Sequence, residues 1–169
     1  RWTARHYCEG LLSAGFSVVA FDFSQHGDSE QRDGYDASKW LTEYDVDDVK
    51  GAIDFIRTQP EWNELLFFLF GISKGAGAVL SAAARTENIS GVIVESAYST
   101  RRLMTLHASR WLEYALGRRV NAWFPFWRVE MTLAVMRWIS QRQHHCRYMN
   151  LERQLPALRS KPVFWLSGE

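Results

Sequence analysis

The segment 65–85 limits the possible fold more than any other part of this chain. Leu65-Leu66-Phe67-Phe68-Leu69-Phe70 is six apolar residues without alternation. That pattern suits a strand covered on both faces, as in a parallel sheet. A tight turn follows at Gly71–Gly75, and an alanine-rich helix is expected over 76–85. Strand, glycine-flanked turn and small-residue helix in direct succession are the parts of one α/β unit.

The remaining chain extends the same alternation. Residues 2–13 carry a helical pattern that stops at Gly15, a C-terminal cap residue. Ser17–Phe23 reads as a buried strand, and Ser24–Ser38, rich in Ser, Gly, Asp and Gln, reads as a loop. From Trp40 to Gln59 the apolar residues Leu41, Tyr44, Val49, Ala52, Ile53 and Ile56 recur at helical spacing until Pro60 ends the run. Gly91–Glu95 is another short buried strand, residues 100–143 are helical and heavily aromatic, and Pro162–Leu166 is a last strand. The order predicts an α/β fold with a doubly wound, mainly parallel sheet. It divides into a core over 1–99, a helical insertion over 100–160, and a returning core strand over 161–169.

Composition narrows the class. With 169 residues, 47% apolar and 23% charged, the chain is one globular domain's worth. No run of about 18 apolar residues occurs, so no transmembrane span is expected. Nor does the segment after Arg1 follow the basic–apolar–small order of a signal peptide. If no leader or anchor precedes Arg1, the expected location is the cytoplasm. Cys8 and Cys146 read as free thiols of a reducing compartment, or at most one disulfide. His144-His145-Cys146 is the nearest approach to a metal cluster, but adjacent side chains seldom converge on one ion, so no metal is expected. The net charge of +1 hides an asymmetry. Residues 1–96 hold 8 basic against 15 acidic side chains, whereas residues 97–169 hold 12 against 4.

Gly71-Ile72-Ser73-Lys74-Gly75 fits G-x-S-x-G. The pattern is weak alone and gains its force from the strand before it and the helix after it. A strained strand-to-helix turn lifts a serine Oγ above the sheet, and Gly71 and Gly75 leave room where a Cβ would collide. The helix turns its N–H groups and positive dipole end toward any oxyanion that forms. Ser73 is therefore the candidate nucleophile and the Lys74 backbone N–H a candidate oxyanion donor. The Lys74 side chain is expected at the solvent or the rim. A dinucleotide loop needs G-x-G-x-x-G, which Gly71, Gly75 and Gly77 do not match. A Walker loop needs Ser or Thr after Gly-Lys, which is also absent.

On these residues the chain resembles the α/β-hydrolase superfamily, closest to its serine-aminopeptidase-like and acylglycerol-lipase-like branch. In that branch the first strand ends in D-x-R-G-H-G-x-S. Here Asp22, His26, Gly27 and Ser29 match, while Ser24 and Gln25 replace Arg and Gly. Gly91–Ser99 resembles the strand and loop leading to the cap, and Lys161–Glu169 the strand before the catalytic acid. The resemblance implies an acid a few residues past Gly168, a histidine later still, and a second oxyanion N–H before the first helix. The chain is thus expected to be truncated at both ends.

The histidines present, His6, His26, His107, His144 and His145, stand in the wrong order or the wrong region for the base. Glu95 is expected to be a structural carboxylate, with an acid role the lesser reading, and Glu169 would serve as the acid only if its loop were short. Asp45, Asp47 and Asp48 are expected to serve a helix dipole and solvation. Trp111, Trp123, Phe124, Phe126, Trp127 and Trp138, interleaved with arginines that include Arg118 and Arg119, would form the helical cap. Packing onto the core is the simpler role for these aromatics. Contact with a membrane surface or anionic lipid is the other, and nucleic acid is not expected. The resemblance implies a serine hydrolase of carboxylic esters or other small acyl substrates, without cofactor. A peptidase or amidase of the same fold, or a non-catalytic binding protein with an incomplete triad, is the alternative.

Overall fold

The computed structural model describes residues 2–35, 40–117 and 126–167. The chain divides into two compact units, Arg1–Ala37 and Ser38–Glu169.

In the first unit, helix α1 (Trp2–Ser13) ends as its sequence predicts. Gly15 takes φ +87°. The Gly15 N–H donates to the Leu12 carbonyl and the Phe16 N–H to the Leu11 carbonyl, each at 3.0 Å, a Schellman closure. The strand expected at Ser17–Phe23 is not formed. No described residue supplies a ladder to it, and Val19 and Phe21 are exposed. Residues 24–35 are turns, as expected. Gln25, standing where the resembled motif has glycine, adopts the left-handed φ of +66° that glycine would take without strain. Its amide donates to the Arg32 carbonyl at 2.9 Å, and the Arg32 Nε donates to the Ser24 Oγ at 3.2 Å. Gly27 takes φ +56°, and a Cβ there would lie 2.2 Å from the Asp22 Oδ2, so a larger residue would strain the backbone and displace the Asp22 carboxylate.

The second unit is built on three parallel strands in the order β1 (Phe68–Ile72), β2 (Gly91–Glu95), β3 (Val163–Leu166). The first strand starts and ends later than the apolar run suggests. Pairing runs from Phe68 opposite Gly91 to Ile72 opposite Glu95, so register with β2 sets the limits. Leu65 and Leu66 fall outside the strand, and Leu66 is 80% exposed. Phe68 is exposed too, so this strand is not covered on both faces along its length.

Helix α3 (Lys74–Ala83) packs on β1 and β2, and its residues from Ala76 to Ala83 are all buried. Small side chains let it approach closely: a Cβ on Gly77 would lie 2.8 Å from the Leu41 Cδ2. Helix α2 (Glu43–Arg57) lies against α3 and buries Val46, Val49, Ile53 and Ile56 at helical spacing. Each such aliphatic side chain contributes roughly 1.5–3 kcal/mol by leaving water. The C-terminal end of α3 is closed by Lys161, whose ammonium donates to the carbonyls of Ala83, at 2.6 Å, and Thr86.

Two helices, α4 (Thr100–Leu116) and α5 (Phe126–Gln143), follow β2 in the chain. Ser99 caps α4, its Oγ accepting from the Arg102 N–H at 3.2 Å. Short α6 (Leu151–Gln154) and a 3₁₀ turn (Leu155–Leu158) return the chain to β3. No described helix is long and apolar enough to cross a membrane.

Candidate functional site

The turn between β1 and α3 carries the serine. Ser73 sits at φ +54°, ψ −115°, the N-cap of α3, with no hydrogen bond from its side chain to the helix. A non-glycine residue in that region is strained and persists only where the surroundings over-determine it. Three contacts do so. The Ser73 N–H donates to the Glu95 carbonyl at 2.9 Å, tying the turn to β2. The Ser73 carbonyl accepts from Ala76 at 3.1 Å and Gly77 at 3.4 Å, beginning the helix. Gly71 lets the chain fold back on itself, since a Cβ there would lie 2.5 Å from the Gly75 carbonyl oxygen and 2.7 Å from the Val79 Cγ2. The serine side chain is exposed at the carboxyl end of the parallel strands, where open α/β sheets place their ligands. Lys74 opens α3, so its N–H is one the helical ladder does not use.

The Lys74 side chain is not at a free rim. Its ammonium pairs with the Asp45 Oδ1 at 2.8 Å, and the two side chains are 18% and 3% exposed. The other carboxylate oxygen accepts from the Thr42 N–H and Oγ1, each at 2.8 Å. The Asp45 N–H returns a bond to the Thr42 Oγ1 at 3.4 Å, completing a capping box. Asp45 therefore does more than serve a helix dipole: it joins α2 to the start of α3. Thr42-x-x-Asp45 was a readable cap signal, but the partner on α3 had none.

Two further groups respond to this carboxylate. Burial first, and the Asp45 charge second, push the Tyr98 phenol up. The Cys146 thiol is pushed up to about 11 by burial, then by Glu43 and Asp45, so it stays neutral. It lies on the stretch that backs the start of α2, where Thr42 pairs with Tyr148 in an antiparallel bridge and the Glu43 N–H donates to the Arg147 carbonyl at 2.9 Å. Both cysteines are free thiols.

The other candidates are scattered. Glu95 contributes its carbonyl to the elbow. Beside it, Ser96 turns at φ +52° and donates its N–H to the Leu166 carbonyl at 3.0 Å. In the first unit His26 is exposed and its Nδ1 lies 3.0 Å from the Ser24 carbonyl. His6, His107 and His145 are exposed and His144 is partly buried. Gly168, Glu169, Arg118, Arg119, Trp123 and Phe124 lie outside the described residues. Trp111, Trp127 and Trp138 are each more than half exposed, so these three aromatics are not packed into a core.

A parallel sheet whose first strand runs through a strained serine into a small-residue helix defines an α/β-hydrolase-type fold. The sequence pattern of the serine aminopeptidase (S33) family matches residues 2–157, and the chain belongs to that family. Its fold is similar to that of an esterase from Pyrococcus furiosus, with a TM-score of 0.61 and 18% identity over 95% of this chain and 52% of the esterase. It is also 29% identical over 99 residues to an uncharacterized protein of Pseudomonas aeruginosa, covering 59% of this chain and 26% of that protein. The chain thus spans about a quarter of the curated relative and about half of the esterase.

Proposed function

We propose that the protein is a serine hydrolase of carboxylic esters in which Ser73 is the nucleophile. The observation that carries this is the backbone of Ser73, held at positive φ between β1 and α3 with its side chain exposed. Ser73 Oγ attacks the substrate carbonyl and a histidine takes its proton. The tetrahedral oxyanion is held by the Lys74 N–H at the positive end of α3. The resembled family places the acid after the last strand and the histidine later still, so neither role is assigned to a described residue. The chemistry calls on no metal or cofactor.

Ester substrates are favoured by the fold shared with an esterase. The family's description as aminopeptidases supports a second reading, cleavage of a peptide or amide. Comparing hydrolysis of p-nitrophenyl acyl esters with that of aminoacyl p-nitroanilides separates the two. We assign α4 and α5 to a cap over the site. Its exposed tryptophans, with Arg128 5.3 Å over Trp127 and Arg142 5.4 Å over Trp138, suit contact with a lipid surface.

The direct test is labelling of the full-length protein with a fluorophosphonate probe. Labelling of the wild type that is lost in Ser73→Ala is expected. No labelling, or labelling retained in Ser73→Ala, overturns the assignment.

A further inference from the structure

We infer that Asp45 is a positioning residue for the elbow, fixing the first residue of α3 and with it the N–H that the proposed hydrolysis uses. The inference rests on the reading of Ser73 as nucleophile and names a residue that reading does not require.

Lys74 is an unexpected residue at its position. It is the first residue of α3, and a cation there opposes the positive end of the helix dipole. The arrangement is tolerable because the ammonium is drawn onto Asp45 at 2.8 Å. Asp45 in turn cannot give way easily. Its carboxylate is 3% exposed and already accepts two bonds from Thr42 at 2.8 Å, so it is anchored in the N-terminal turn of α2. A charge-assisted bond between two held groups is short, strong and directional.

The first turn of α3 is thereby clamped on two sides. Gly77 lies against Leu41, one residue before the α2 cap, and Lys74 is tied to Asp45 inside it. Ser73 is the residue immediately before this clamp and holds a strained backbone. Its own anchors are main-chain bonds to β2 and α3. Asp45 adds the side-chain anchor that keeps Lys74 from rotating about the turn. Displacing the elbow by even an ångström costs catalysis heavily, because nucleophile and oxyanion donor are adjacent residues of one strained turn.

The test compares three variants of the full-length protein with wild type. Asp45→Asn keeps the size and the acceptor for Thr42 but removes the charge that holds Lys74. Lys74→Met keeps the backbone N–H and removes the same ion pair from the other side. Ile53→Val removes one buried methyl group from α2 and leaves the ion pair and its Thr42 anchors in place. Turnover of p-nitrophenyl butyrate, fluorophosphonate labelling and amide hydrogen exchange over residues 72–78 are measured, with thermal unfolding to establish that each variant folds. Asp45→Asn and Lys74→Met are expected to lower kcat by about tenfold to a hundredfold with KM changed less than about threefold. Both should speed exchange of the elbow amides. Ile53→Val is expected to unfold at lower temperature with kcat within about threefold of wild type.

A folded Asp45→Asn variant with wild-type kcat and wild-type elbow exchange overturns the inference. So does an equal loss of kcat in Ile53→Val, which would mark general loosening of α2. If Asp45→Asn fails to fold, Lys74→Met decides by the same readouts. A wild type that is neither labelled nor active defeats the reading of Ser73 alone, and the exchange data still decide whether Asp45 holds the elbow.

Discussion

Compare the ion pair beneath the elbow with the one that joins the helices of the insertion. Lys74–Asp45 links α3 to α2 at 2.8 Å, and Arg101–Glu130 links α4 to α5 at 2.6 Å. The bonds are alike in length and the surroundings differ. Asp45 is 3% exposed and Lys74 18%, whereas Arg101 is 59% exposed and Glu130 19%. An exposed pair exchanges water for a partner at little gain, whereas a buried charge that loses its partner remains out of water. The elbow region is therefore expected to tolerate almost no change, and the insertion a great deal.

The strongest way to break this contrast is Gly71→Ala. The added methyl meets the Gly75 backbone at 2.5 Å, which no side-chain rotation relieves. A loss of about 3 kcal/mol or more is expected, seen as a fall in the unfolding midpoint of roughly 6–12 °C in calorimetry. An unchanged midpoint would mean that the turn is loose.

Next comes Lys74→Met, which strands the Asp45 carboxylate. Because the two Thr42 donors remain, the expected cost is about 2–3 kcal/mol, below the 3–5 typical of a fully buried pair. Urea titration measures it. A cost below about 0.5 kcal/mol would make the two ion pairs equivalent and remove the contrast.

Glu130→Gln should cost only about 0.2–1 kcal/mol. Its pH dependence has a definite sign. Hydrogen bonds from Arg101 and then Thr105 hold the Glu130 carboxyl below its ordinary value of 4.5. Its contribution is complete above that ordinary value and is lost as pH falls through the lower, folded value. Subtracting the variant's stability from the wild type's between pH 7 and acid should show that decline, and a difference that is flat with pH would contradict it. The smallest effect is expected for Trp138→Ser, within about 0.5 kcal/mol, since this residue is more than half exposed. A larger loss would reveal packing at α5.

The strand, turn and helix around Ser73 were legible in the sequence because their requirements are local. Gly71 must be small, Ser73 must tolerate positive φ, and an apolar strand and an alanine-rich helix must flank them. The cap of α1 at Gly15 was legible for the same reason, whereas the run read from Trp40 begins before the Thr42 cap of α2. The strand expected at Ser17–Phe23 failed because an apolar run states a wish for burial, not a partner. The role of Lys74 was missed because its partner lies 29 residues earlier on another helix, and nothing in the local pattern of either residue announces the other.

Ser73 itself, the turn that bears it, and the helices and strands on either side follow from short-range sterics and hydrogen bonding, which the sequence by itself determines. The limits of β1, the exposure of Leu66, the burial of Asp45 and its hold on Lys74 were decided only by the tertiary structure. Register and burial depend on which distant segments meet, and the energy of a charge depends on how much water is left around it once they have met.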